Sequence, residues 1–310
     1  MTRGSSLVVV GSLNADLVTR VPRFPAPGET VTGTGFAIHP GGKGANQACA
    51  ASRLGATVHM IGRLGDDANG RLLESSLQTA GVDTSGLLRD PGAPTGTALI
   101  TIDETGQNQI VIVPGANHGL SVGDVEGGRE RIERAGFLLL QLEVPLDVVE
   151  AAARIARRAG TVVVLDPAPA RREALSLLPL CDYVTPNEIE LACLAADPTV
   201  ELPPAELAAR LLDRGARRVV AKLGASGALL LGDGAERRFE PFPVAAVDTT
   251  AAGDVWNGAF AAALAEGVAV DEAGRFASAA AAVSVTRRGA QPSMPTRPEV
   301  IAFMETKGEP

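Results

Sequence analysis

The chain has 310 residues, room for one large α/β domain with an appendage, and its 45% hydrophobic residues against only 3% aromatics leave Ala, Val, Leu and Ile to build the core. A formal net charge of −8 with no basic patch argues against nucleic acid or an anionic membrane surface as a partner. Cys49, Cys181 and Cys193 are odd in number, and neither they nor His39, His59 and His118 show ligand spacing, so neither a disulfide framework nor a zinc site is expected.

The first apolar run, 7–11, leads into Asn14 and reads as an opening strand rather than a signal peptide. Further buried-strand runs fall at 58–62, 137–141, 162–166, 183–186, 218–223 and 227–231. Helix-period segments lie between them at 44–54, 70–80, 121–135, 146–159, 188–196 and 204–214. Strand followed by helix, repeated, predicts a mostly parallel sheet with helices on both faces. Two segments break the alternation. Residues 15–40 hold short extended pieces with several prolines. Residues 96–116 read as a hairpin, 97–102 and 109–113, turning at 103–108. These two segments predict a small β-sheet that serves as a lid or a dimer contact within one domain spanning 1–310. The Ala-rich stretch after Phe260 is interrupted by Glu266, Asp271 and Glu272, so no membrane span is expected and a cytoplasmic protein is.

In a parallel sheet, ligands bind beyond the carboxyl ends of the strands. Residues 11–16, 141–145, 166–169, 185–190 and 222–227 all fall there, so they can share one crevice. Asn14 and Asp16 project the same way if the first strand's extension stays extended, which suits a pair of sugar hydroxyls; an Asx turn fits equally well. Gly41-Gly-Lys-Gly-Ala-Asn-Gln47 opens a helix. It lacks the spacer and the Ser/Thr of a Walker loop, and it is not a dinucleotide fingerprint. Its glycines let backbone N–H groups meet ligand hydroxyls, with Lys43 and Asn46 adding reach; a solvated glycine loop is the plainer alternative. Asn187 begins a helix as a cap, with Glu188 and Glu190 in its first turn. Leu223-Gly-Ala-Ser-Gly227 is a turn tight enough to approach a nucleotide, or an ordinary hairpin. Asp248-Thr-Thr-Ala-Ala-Gly-Asp254 then enters an apolar helix. Small residues at a helix N-terminus make an anion site, and Asp254 beside it would supply a base for phosphoryl transfer to a hydroxyl; a simply capped helix has the same pattern.

Taken in order, these signatures resemble the ribokinase family of carbohydrate kinases (PfkB-type) over nearly the whole chain. The matching residues are Gly11–Asp16, Pro27–Thr30, Gly41–Gln47, Gln141–Glu143, Asp166–Ala170, Thr185–Glu188, Asp248–Asp254 and Arg288–Ser293. Asn14-Ala-Asp16 and the Ala251-Ala252 form of the anion loop are similar to the family's ribose kinases more than to its fructose or adenosine kinases. The resemblance implies a three-layer α/β sandwich and ATP-dependent phosphorylation of D-ribose at its 5-hydroxyl. It makes Asp254 the general base and the backbone of Ala251, Ala252, Gly253 and Asp254 the anion hole. It assigns the sugar to Asn14, Asp16, Gly42, Lys43, Gly44, Ala45, Asn46, Glu143 and Asp254. It assigns ATP to Asn187, Lys222, Leu223, Gly224, Ala225, Ser226, Gly227, Gly253, Asp254 and Ser278. Magnesium would meet Glu190 through water. Potassium would be held by Asp248, Thr250, Ser284, Arg287, Gly289 and Ser293, several through carbonyls. The lid corresponds to the family's β-clasp, which implies a homodimer. Trp256 stands where the family often has Phe, Ser278 where its ribose kinases can carry His, and Lys222 where Thr is frequent. A 2-deoxyribose or pseudouridine kinase is the near alternative; the lid's few aromatics, Phe24 and Phe36, favour a free sugar over a nucleoside. A non-catalytic sugar or nucleotide sensor would be expected to lose the base or its loop, and both are present.

Overall fold

The computed structural model describes residues 5–195 and 202–307. In chain order its elements are β1 (Leu7–Val10), β2 (Asn14–Arg20), β3 (Gly35–Gly41), α1 (Lys43–Arg53), β4 (Val58–Gly65), α2 (Ala68–Thr79), β5 (Asp83–Asp90), β6 (Gly96–Ile102), β7 (Asn108–Val113), α3 (Val122–Gly127), α4 (Arg129–Arg134) and β8 (Phe137–Leu140). They continue with α5 (Leu146–Ala159), β9 (Val162–Leu165), β10 (Tyr183–Val184), α6 (Glu188–Ala195), α7 (Pro204–Asp213), β11 (Arg218–Lys222), β12 (Ala228–Gly232), β13 (Ala235–Phe239), α8 (Ala252–Ala265), α9 (Val270–Val285) and α10 (Arg297–Lys307).

Nine strands form one sheet in the order β13-β12-β11-β10-β9-β8-β1-β4-β5, parallel from β11 to β5 and antiparallel at the β12 and β13 edge. The period-2 geometry of β1 divides its side chains between two cores. Leu7 and Val9 face α1, α8 and α9, whereas Val8 and Val10 face α5, α6 and α7. The result is the expected three-layer sandwich. A second sheet of four strands, ordered β3-β2-β6-β7, stands apart from it. Its β2 leaves directly from the crevice end of β1, after Gly11-Ser12-Leu13.

The structure departs from the sequence reading in several places. The helix expected over 121–135 is two short helices, α3 and α4. Gly128 joins them with φ −93° and ψ 3°, and a Cβ there would lie 2.5 Å from Ile61 Cδ1. Two edge strands, β5 and β13, were not expected, because DTSGLLRD and AERRF lack an apolar run. The short extended pieces within 15–40 are two regular strands, paired residue for residue from Asn14↔Gly41 to Arg20↔Gly35. Ala196, the last residue of the helix expected over 188–196, lies outside the described residues. Among the described residues no helix is long and apolar enough to cross a membrane.

Candidate active site

Parallel strands deliver their following loops to one edge of the sheet. Residues 11–16 follow β1, Glu143 follows β8, Asp166 follows β9, Asn187 follows β10, and Lys222 ends β11. Helices α1 and α8 point their N-termini at the same place. Hydrogen bonds join these loops across the sequence, and an open cleft of about 400 Å³ runs past Lys43, Asp166, Glu190, Lys222, Gly253 and Asp254.

Asp254 sits in the first turn of α8 and is 6% exposed. Asn46 Nδ2 donates to its Oδ2 at 3.0 Å, and Gln47 Nε2 donates to its Oδ1 at 3.1 Å. Burial pushes its pKa up to about 6, with the Asp166 carboxylate adding to the rise and Lys43 and the two amides opposing it. Ala251, the residue before the helix, is left-handed at φ 61°, an uncommon place for a residue with a Cβ. The chain turns there so that Ala252 N bonds Thr249 O and Val255 N bonds Ala251 O. The N–H groups of Gly253 and Asp254 are left without an acceptor among the described residues. They make a donor pair beside a carboxylate.

Lys43 lines the cleft, and next to it, behind the lining residues, stand Asn14, Asp16 and Glu143. Asn14 and Asp16 lie two residues apart on β2, so they share a face, and both are buried. Glu143 Oε2 accepts from Ser12 Oγ (2.6 Å), Lys43 N (3.2 Å) and Asn14 Nδ2 (3.3 Å). The Asp16 carboxylate lies over Gly41 and receives no hydrogen bond from the described residues. Burial first, then the Glu143 and Asp254 carboxylates, raise its pKa to about 7. Burial alone would lower the pKa of Lys43, but Asp254, Asp166, Glu143 and Glu190 outweigh it and the ammonium stays charged. Gly42 has φ 89°, and a Cβ on it would lie 2.6 Å from Asn14 N, so this turn needs glycine on both counts. Gly44 and Ala45 lie buried in the first turn of α1.

The other end of the cleft is made of backbone. Gly224–Ser226 form one 3-10 turn between β11 and β12, opening after Leu223 and closing on Gly227 with φ 81°. Asn187 and Glu190 cap α6 reciprocally: Glu190 N donates to Asn187 Oδ1, and Asn187 N and Nδ2 donate to the two Glu190 oxygens. Ser278 is not among the residues lining the cleft. It is buried on α9, its hydroxyl 3.4 Å from Trp256 Nε1, which donates to it. Beside the turn that enters α8, Val247 N and Asp248 N both bond Val285 O. Asp248 Oδ1 accepts from Thr250, and its Oδ2 from Gly289 N. Burial works against this carboxylate, but those bonds hold its pKa below the usual value. The residues around 248–250 and 284–289 are therefore brought together. Ser293 is buried nearby in sequence, its hydroxyl donating to Ala290 O. The Arg287 guanidinium turns to Glu299.

Several site-building residues escaped the sequence reading. Gln47 donates to both Asp166 and Asp254, and its Oε1 accepts from Gln141 Nε2. Asn117 locks the start of β2, accepting from Leu13 N and donating to Leu13 O and Asn14 Oδ1. Gln47 lay inside a quoted motif, but nothing in its spacing indicates two carboxylate partners. Asn117 carries no signal beyond a polar residue in a turn after a hairpin.

The chain is similar to known proteins over nearly its whole length. The model of the pfkB family of carbohydrate kinases matches residues 5–297. The chain is 45% identical to the ribokinase of Haemophilus influenzae over 97% of its own length and 98% of that protein. It is 37% identical to the deoxyribokinase of Salmonella typhi, over 94% of the chain and 95% of the relative. Among solved structures it resembles Arabidopsis thaliana ribokinase complexed with ribose and ATP. The TM-score is 0.88 at 36% identity, covering 97% of this chain and 98% of that one.

Proposed function

Since the chain belongs to the pfkB family of carbohydrate kinases, we propose that it phosphorylates D-ribose at the 5-hydroxyl with ATP, using Asp254 as general base. The observation that carries this reading is the juxtaposition at the mouth of α8: a buried carboxylate beside two free N–H groups, between a carboxylate-lined end and a backbone-lined end. The Arabidopsis relative solved with ribose and ATP, at 36% identity across both chains, supports the choice of substrates.

In this mechanism the sugar lies against Asn14, Asp16, Gly42, Lys43, Asn46 and Glu143, its free hydroxyl directed at Asp254. ATP lies along the 222–227 turn and Asn187, its terminal phosphate at Gly253. The hydroxyl oxygen attacks the γ-phosphorus as Asp254 takes its proton, and the bond to the β–γ bridging oxygen breaks to release ADP. The N–H groups of Gly253 and Asp254 meet the charge on the moving phosphoryl group, which needs positioning and charge stabilisation more than covalent help. A carboxylate with its pKa near 6 is ionised at neutral pH yet basic enough to serve. We assign the smaller sheet as a lid over the sugar end of a single domain, where excluding water protects ATP from hydrolysis.

Magnesium fits as a hydrated ion carried by the nucleotide, because both Glu190 oxygens already accept from Asn187. It supplies charge neutralisation at the phosphates. Potassium would sit at the junction of 248–250 with 284–289, which the bonds of Asp248 to Val285 O and Gly289 N hold together; there it would fix the anion loop. We also infer a homodimer through the outer face of the smaller sheet. Ile38, Leu17, Leu99 and Val111 form one row across its four strands, and Ile38, Leu99 and Val111 are 43%, 46% and 60% exposed.

The test is ADP release with magnesium ATP and D-ribose, 2-deoxy-D-ribose, D-fructose, adenosine or pseudouridine, in potassium or sodium. Fastest turnover on ribose, raised by potassium, is the expected outcome. The 37% identity to a deoxyribokinase is the specific ground for a second reading. Preference for 2-deoxyribose would select it, keeping Asp254 and reassigning Asn14 and Asp16. No turnover on any acceptor would overturn both.

A further inference from the structure

Lys222 has an unusual setting for a strand-end lysine. Its backbone is fixed: its N–H donates to Pro186 O at 2.8 Å, and it bridges to Asn187. Its side chain is only 12% exposed, and its Nζ donates to Asp166 Oδ1 at 3.0 Å. Gln47 Nε2 occupies the other Asp166 oxygen at 2.9 Å. On its far side the same Nζ faces the anion loop. A Cβ placed on Gly253 would lie 3.4 Å from it, so the ammonium sits beside the backbone whose N–H groups are free. Lys222 lines the cleft together with Gly253 and Asp254. An ammonium has three donors, and one bond to Asp166 leaves two for another acceptor.

From this geometry we propose that Lys222 is a catalytic residue that binds the transferred phosphoryl group, adding a full positive charge to the neutral N–H pair of the anion hole. The inference rests on the kinase reading above and deepens it. Lys222 donates hydrogen bonds to the γ-phosphoryl oxygens and exchanges no proton; the hydroxyl proton still goes to Asp254 and the bond broken is still that to ADP. The Asp166 carboxylate orients the ammonium before ATP arrives. Lys43 is the other lysine lining this cleft; its backbone N–H bonds Glu143, and its side chain has no hydrogen bond to Asp166 among the described residues.

The competing account is that Lys222 only neutralises buried Asp166. Lys222→Met and the double variant Lys222→Met with Asp166→Asn separate the two, assayed at pH 8, where Asp254 is ionised. Met keeps the stem but strands the Asp166 charge; the double variant removes both charges and folds without an unpaired buried ion. The proposal expects both to lose about 10²-fold in kcat, as for other anion-hole donors, with ribose KM within threefold of wild type. Affinity for ADP with aluminium fluoride and ribose, a mimic of the transferring phosphoryl group, falls in parallel, and Lys222→Arg recovers part of the rate. Recovery of kcat in the double variant overturns the proposal in favour of neutralisation. Wild-type kcat in Lys222→Met overturns it outright. A wild-type protein that phosphorylates no sugar overturns the kinase reading and this inference with it.

Discussion

The two ends of the cleft are built from opposite materials. The end nearest the smaller sheet is made of side chains, three of them acidic: Asp16, Glu143 and the shared Asp254. Two of these carboxylates are pushed well above their ordinary pKa, first by burial and then by neighbouring carboxylates, Glu143 and Asp254 for Asp16 and Asp166 for Asp254, and among the described residues nothing donates a hydrogen bond to Asp16. The end beyond Asp254 is made of backbone turns and a capped helix, with Glu190 already satisfied by Asn187. On the proposed reading, the buried, unbonded Asp16 carboxylate suits a ligand rich in hydroxyl donors, and the free N–H groups of Gly253 and Asp254 suit a polyanion. The contrast implies that lesions at the two ends separate kinetically, and Asp254 is the one residue that belongs to both.

Asp254→Asn is therefore the largest expected effect. It removes the base while keeping the shape, and kcat should drop at least 10²–10⁴-fold with both ligands still bound; near-wild-type turnover in a folded variant would end the assignment. Asp16→Asn should act at one end only. Losing a charge-assisted bond to a sugar hydroxyl is worth roughly 1.5–3 kcal/mol, so ribose KM should rise about 10- to 100-fold while ATP KM stays put. A change in ATP KM of the same size would erase the distinction between the ends. A subtler test uses charge alone. The acid limb of kcat/KM for ribose should report two groups of the free enzyme, Asp16 near pH 7 and Asp254 near pH 6, and in an Asp16→Asn background Asp254 alone. The Asp166 carboxylate raises the Asp254 pKa, so in that background Asp166→Asn should move the limb to lower pH. A pH–rate profile that moves upward, or not at all, contradicts the electrostatic account.

How far the site was legible follows the same division. The backbone end could be read because turn chemistry is local: Gly224 and Gly227 both take positive φ, and Asn187 caps its helix within three residues. The parallel sheet was legible because strands buried on both faces are unbroken apolar runs, as in Leu7–Val10 and Phe137–Leu140. The edges were not, since β5 and β13 are polar and owe their pairing to the neighbouring strand. At the side-chain end the motifs named Asn14, Asp16 and Lys43, but not what holds them. Gln47 is 207 positions from Asp254 and Asn117 is 103 from Asn14, and no spacing rule spans such distances. Ser278, placed by resemblance at the nucleotide, accepts from the indole of Trp256, a partner on another helix that no local pattern shows.

The smallest effect tests whether the acidic end is held against its own electrostatics. The folded-state pKa of Asp16 is raised from 3.8 to about 7, so folding favours its protonated form. Its stabilising contribution is fully present below pH 3.8 and is lost as pH rises through about 7. At pH 8 the ligand-free protein thus carries the full cost of a buried, unbonded carboxylate; at pH 5 it carries only part of it, the uptake of a proton on folding. Asp16→Asn has nearly the same shape and no charge to bury, and it breaks no hydrogen bond made by the described residues. The variant should melt a few degrees above wild type at pH 8 and by a smaller margin at pH 5, with the gap widening from about pH 4 to about pH 7 and level above that. Adding ribose should close the gap or reverse it, because the sugar hydroxyls satisfy the wild-type carboxylate and stabilise only the state that binds them. A gap that is the same at both pH values would mean that the substitution acts through packing, and that the acidic end bears no electrostatic cost for its ligand to relieve.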